Sequence, residues 1–78
     1  MLINNAMVEK AKGDTYRREN GLWGRKSVFG LYKDEHDAII GTLVDYVLGA
    51  KAAVCSESFL MNTVDTVERE YAELTKEA

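Results

Sequence analysis

From Asp34 to Val54 the apolar residues recur with a helical period. Plotted at about 100° per residue, Tyr46, Ile39, Ala50, Leu43, Val54, Val47, Ile40 and Val44 cover a face about 160° wide, against roughly 100° for an ordinary surface helix. One flanking helix does not cover such a face. The opposite side is small as well as polar, carrying Ala38, Gly41, Thr42, Asp45, Gly49, Ala52 and Ala53, and it admits another backbone at close range. Each mid-helix glycine costs about 1 kcal/mol relative to alanine unless close packing compensates. The 34–54 helix is therefore expected to pair with a second copy of the chain. Ile39, Ile40, Gly41, Leu43, Val47 and Gly49 would form the contact, with Leu60, Val64, Val67 and Tyr71 of the next helix beside them. Asp45, between the two glycines, is expected to face solvent or a polar partner across that interface, since a buried unpaired carboxylate is costly.

A second helical pattern runs from about Ser58 to Lys76. Leu60, Val64, Val67, Tyr71 and Leu74 alternate in steps of four and three, a narrow heptad seam. Asp65 and Arg69 form a favourable i, i+4 pair, and Glu68, Glu70, Glu73 and Glu77 leave what reads as a solvated acidic flank. Ser56 and Ser58 suit a helix junction, where either hydroxyl can cap. At the start of the chain, Asn4 or Asn5 is a good N-cap for a short helix to Lys12. Ile3, Met7 and Ala11 share one of its faces, and Gly13 stands where a left-handed C-terminal residue is expected. A helix of two to three turns does not hold alone, so it must dock on the central one.

The period breaks between residues 14 and 33. Gly21, Gly24 and Gly30 interrupt it, Asn20-Gly21 is a hairpin-turn signal, and the flanks Thr15–Arg17 and Ser27–Tyr32 are rich in β-branched and aromatic residues. A short β-hairpin or an ordered loop follows. The expected architecture is mainly α: one domain over residues 1–78, a helical hairpin of 34–54 and 58–76, a short N-terminal helix across it, and the irregular or β-hairpin segment at 14–33 between.

Charge changes the picture more than composition does. The chain has 78 residues and a net charge of −3. Residues 1–33 hold seven lysines and arginines against three carboxylates, a net of +4, whereas residues 34–78 hold three against ten, a net of −7. Either the basic third folds back on the acidic helices, or each half meets a different external surface. Segment 14–33 interleaves five of the basic residues with Tyr16, Trp23, Phe29 and Tyr32. Interfaces are enriched in tryptophan, tyrosine and arginine, so Tyr16, Arg17, Arg18, Trp23, Arg25 and Lys26 are the expected partner-binding residues. The competing role for Trp23 is that of a core residue. The same mixture also serves single-stranded nucleic acid, where cations track phosphates and rings stack on bases. The negative total charge makes that the second choice.

Catalytic chemistry finds little footing. Asp34-Glu35-His36-Asp37 offers carboxylates to the free amides of a helix start, which explains the cluster without a ligand. No His-x-x-x-His or Glu-x-x-His spacing accompanies it, so no metal or other cofactor is expected. His36 reads as a boundary residue satisfied by a hydrogen bond. Cys55 as a nucleophile with His36 as base fails within one chain, because a continuous helix would hold them roughly 28 Å apart. A small enzyme with a site across a dimer interface is the third choice, and Cys55 is expected to be a buried structural thiol. One cysteine, no apolar leader and no run of about 20 apolar residues point to a cytoplasmic protein without a membrane span. The functional expectation is a small protein-binding module acting stoichiometrically as a regulator or inhibitor. Chains of this size are frequent among phage-encoded and accessory regulators.

Overall fold

A computed structural model describes residues 1–26 and 30–76, so Ser27–Phe29 of the expected 27–32 flank and the last carboxylate of the acidic flank, Glu77, lie outside the described residues. The chain is mainly helical, in the order α1 (Asn5–Asp14), β1 (Thr15–Arg17), β2 (Trp23–Arg25), α2 (Glu35–Leu48), a 3-10 turn (Gly49–Ala53) and α3 (Glu57–Thr75). All three α-helices begin on a side-chain cap. Asn4 Oδ1 accepts from Met7 N at 2.9 Å, Asp34 Oδ1 from Asp37 N at 2.8 Å, and Ser56 Oγ from Phe59 N at 3.1 Å.

Two helix ends differ from expectation. Helix α1 runs through Gly13, which does not take a left-handed conformation, and stops where Thr15 turns extended and gives its amide to Lys12 O. Helix α2 stops at Leu48, not at Val54. Gly49 there has φ +56°, a value open to glycine and strained for most L-residues, and the chain continues as the 3-10 turn. Ala50 and Val54 consequently leave the apolar face, and Val54 is exposed.

The wide face of α2 is covered from within the chain. Ile39, Ile40, Leu43, Val44 and Leu48 form the core with Ile3, Val8 and Ala11 from the N-terminal side and Val67 from α3. The first half of the small-residue face is covered too: Ala38 and Thr42 have no exposed surface, and β1 and β2 both pack on α2, whereas Gly49, Ala52 and Ala53 are exposed. Along the α3 seam only Val67 is fully buried, while Leu60, Val64, Tyr71 and Leu74 are half-buried against the core.

The hairpin is real but placed earlier than the residue pattern suggests. Thr15 pairs with Arg25, Tyr16 with Gly24 and Arg17 with Trp23 around a turn closed by Arg18 and Leu22, with Gly21 at φ +86°. The strand that pairs with β1 is thus Trp23–Arg25. Among the described residues of the 27–32 flank, Tyr32 forms an antiparallel bridge to the outer edge of Trp23, exchanging two hydrogen bonds of 2.9 Å. The turn is longer than the two residues Asn20-Gly21 imply, which shifts the register toward Trp23.

Glu70 also departs from its expected role as a solvated carboxylate. Its Oε1 accepts from Leu2 N at 2.7 Å and from Ile3 N at 3.0 Å, tying the N-terminal segment to α3 and holding Ile3 in the core. Charged hydrogen bonds of this kind contribute about 1.5–3 kcal/mol each at most, and less where water competes. Glu70→Ala is expected to cost about 1–2 kcal/mol in urea denaturation, whereas Glu73→Ala, on the exposed side of the same helix, should stay within about 0.5 kcal/mol.

Candidate functional site

Hairpin strands alternate their side chains, and that alternation sorts the basic residues. Thr15 and Arg25 are opposite one another and both point to α2, where they are buried. Tyr16 and Arg18 lie on the outer face over Gly24, where a Cβ would come within 3.2 Å of Tyr16 Cζ and 3.4 Å of Arg18 Cδ. Glycine at this position lets the tyrosine ring and the arginine stem lie flat on the strand. Tyr16, Arg17 and Lys26 are exposed, Arg18 and Trp23 half-buried. Tyr16, Arg17, Arg18, Glu19 and Asn20 line an open concavity at the tip. Among the described residues, neither Arg17 nor Arg18 has an ion-pair partner.

Arg25 does not belong to that surface. Its side chain is 4% exposed, and its Nη1 donates to Asp45 Oδ2 at 2.5 Å. Burial by itself works against the charged guanidinium, but the hydrogen bond to Asp45, with a contribution from Tyr32, outweighs it and raises the Arg25 pKa. Arg25 Nε has no partner among the described residues. Asp45 is 42% exposed, so it faces solvent on one side and a buried cation on the other; its polar partner lies in its own chain. Tyr32 completes the cluster. A Cβ on Gly41 would sit 2.8 Å from the Tyr32 hydroxyl and 2.9 Å from its ring, so the glycine makes room for this ring. Among the described residues, the ion pairs Arg25–Asp45 and Lys33–Asp37 therefore join the basic third to the acidic helices, and Arg17, Arg18 and Lys26 take no part in such a pair.

The residues expected to join two copies are mostly committed elsewhere. Ile39, Leu43 and Val67 are at most 1% exposed and lie in the core, Ile40 is 5% exposed, and Gly41 lies under Tyr32. Gly49 is the helix stop; Val47, Leu60, Val64 and Tyr71 remain half-buried. The width of the apolar face, which motivated a dimer, is thus accounted for by α1, α3 and the hairpin. Trp23 lies between its two expected roles: half-buried, opposite Arg17 on one edge and with its backbone N–H and C=O both bonded to Tyr32 on the other.

Asp34, His36 and Asp37 bring ligand-type atoms within 4.8 Å of one another, closer than their divergence along a helix suggests. Each has a structural task. Asp34 caps the helix, His36 Nδ1 is 3.3 Å from Asp37 Oδ1, and Asp37 also meets Lys33 Nζ at 3.7 Å. The His36 ring packs edge-on against Tyr71 with centroids 5.7 Å apart. Cys55 is half-buried rather than buried, and its Sγ is 3.9 Å from Ala52 O, in the link at the far end of α2 from His36.

Sequence periodicity missed Tyr46 as a polar anchor. Its hydroxyl donates to Asp14 Oδ2 at 3.1 Å, and Lys10 Nζ lies 5.1 Å from its ring centroid. Burial and then the Asp14 hydrogen bond raise the Tyr46 pKa above its ordinary value. The folded state therefore holds this proton more tightly than the unfolded chain does. The resulting stabilisation is complete below pH about 10 and is lost as pH rises through the raised value. Tyr46→Phe should flatten the loss of stability above pH about 10 relative to the unmodified protein, as read by thermal melts.

Compared with known proteins, the chain matches no family model, no curated protein and no solved structure.

Proposed function

We propose that this chain is a small protein-binding module that acts stoichiometrically, as a regulator or inhibitor, on a partner presenting an acidic surface. The observation that carries this reading is the exposed tip of the hairpin. There Tyr16 and Arg17 end β1 and Arg18 opens the turn, and the two guanidinium groups meet no carboxylate among the described residues. A rigid ring flanked by uncompensated planar cations loses little side-chain freedom on binding and offers bidentate donors to carboxylates. A reducing cytoplasm is the setting that suits one free thiol.

The test is a capture experiment from host lysate with mass spectrometry, repeated with Arg17→Glu/Arg18→Glu. These side chains make no intramolecular ion pairs among the described residues, so the double variant should keep its melting temperature within a few degrees and lose the partner by at least a hundredfold in affinity. Unchanged capture at physiological salt would remove the hairpin from the site. The same ring and cations also fit single-stranded nucleic acid, with Tyr16 stacking on a base. That reading requires a steep fall of affinity with salt, reflecting release of counterions from phosphates.

A further inference from the structure

On the side of α2 that carries Tyr32, a groove of about 430 Å³ runs between α2 and α3. Its floor is apolar: Ile40 and Val44 from α2, Leu60, Met61 and Val64 from α3. Its rim is acidic, with Asp37 and Asp45 on one wall and Glu68 on the other, and no lysine, arginine or histidine lines it among the described residues. We propose that this groove receives a cationic amphipathic helix of a partner protein, through a surface separate from the basic hairpin.

Geometry and charge both lead to that occupant. The His36–Tyr71 contact joins the start of α2 to the late turns of α3, while the 49–56 link joins their other ends, so the two helices run antiparallel. Asp37 and Glu68 therefore share one end of the groove and Asp45 stands at the other. Asp37 and Asp45 are eight residues apart, about 12 Å along the helix, which matches two turns of an incoming helix. Apolar residues at i, i+3, i+4 and i+7 would fill the floor, and lysines or arginines at both ends would meet the carboxylates. Asp37 is already paired with Lys33 and Asp45 with Arg25, but Glu68 has no ion-pair partner among the described residues. Met61 is 54% exposed despite its length, and an unbranched thioether adapts to different apolar side chains. An acidic helix would set further negative charge against Glu68, and a neutral one would desolvate it with no counter-charge, which disfavours both.

The probe is a fluorescein-labelled helical peptide of leucines at that spacing, with lysines elsewhere. Controls are the same composition scrambled and the same pattern with glutamates. Anisotropy at physiological salt should show saturable binding of the first peptide alone. Amide peaks of Gly41, Met61 and Glu68 in the unmodified protein should shift, and those of Tyr16 to Asn20 should not. Glu68→Lys and Met61→Arg alter exposed side chains outside the core and should each weaken binding at least tenfold, whereas Arg17→Glu/Arg18→Glu should weaken it less than twofold. The absence of saturation, equal binding of the glutamate peptide, shifts at the hairpin tip, or indifference to both groove substitutions would each overturn the proposal. A concentration-dependent dimer that Met61→Arg dissolves would also overturn it, since the occupant would then be a second copy.

Discussion

Leu43→Ala is expected to leave this protein at the edge of folding. The side chain has no exposed surface and occupies the middle of α2, which packs against α1, α3 and the hairpin. Leucine-to-alanine changes in such positions cost about 3–5 kcal/mol, the transfer term plus the cavity that three rigid neighbours cannot collapse. A domain of 78 residues has about 4–12 kcal/mol in total, so the variant should lose most of its helical circular dichroism near 37 °C. Val47→Ala, one turn on and half-buried, should cost about 1 kcal/mol in the same assay. Similar losses at the two positions would mean that α2 is not enclosed by its own chain.

The second large effect is an asymmetry across one ion pair. Asp45→Asn removes the countercharge of a guanidinium whose side chain is 4% exposed, and breaking a buried pair from one side costs about 3–5 kcal/mol. Because Asp45 itself is 42% exposed, water can reach the broken pair, and the expected loss is the lower figure of about 2–3 kcal/mol. Arg25→Met removes the buried charge altogether and keeps an apolar stem in its place. It leaves Asp45 at a wet edge, so its cost should be about 1 kcal/mol or less. Urea midpoints of the two variants decide the matter. A larger loss for Arg25→Met than for Asp45→Asn would show that the arginine acts through packing against the hairpin rather than through charge.

The two charged halves of the chain acquire separate surfaces. Lys33 and Arg25 are spent on holding the hairpin and the start of α2 in place, while Arg17 and Arg18 line the open concavity at the hairpin tip and Glu68 stands at the rim of the α2–α3 groove. Partial fold-back, rather than full neutralisation, is what lets a chain with a net charge of −3 present a cationic face.

What the sequence determined by itself is local. A cap at Asn4 or Asn5, the carboxylates at the start of α2, a cap at Ser56 or Ser58, the heptad seam of α3, the existence of a central amphipathic helix and a turn near Asn20-Gly21 all depend on groups within a turn or two of one another. The tertiary structure decided what depends on contacts far apart in the chain. Gly49 sits within an unbroken apolar period and reads as a tolerated helical residue, and its positive φ appears only in the folded backbone. Arg25 looks like Arg17 and Arg18 in composition, but the hairpin register turns it inward onto Asp45, 20 residues away. Glu70 looks like Glu73, yet it receives two amides from 67 and 68 residues upstream. Gly41 reads as a place for a second backbone, and the Tyr32 ring of its own chain occupies that place. Periodicity and capping report forces that act within one helical turn, whereas the fate of a particular charge or glycine is set by which element crosses over it, and only packing determines that crossing.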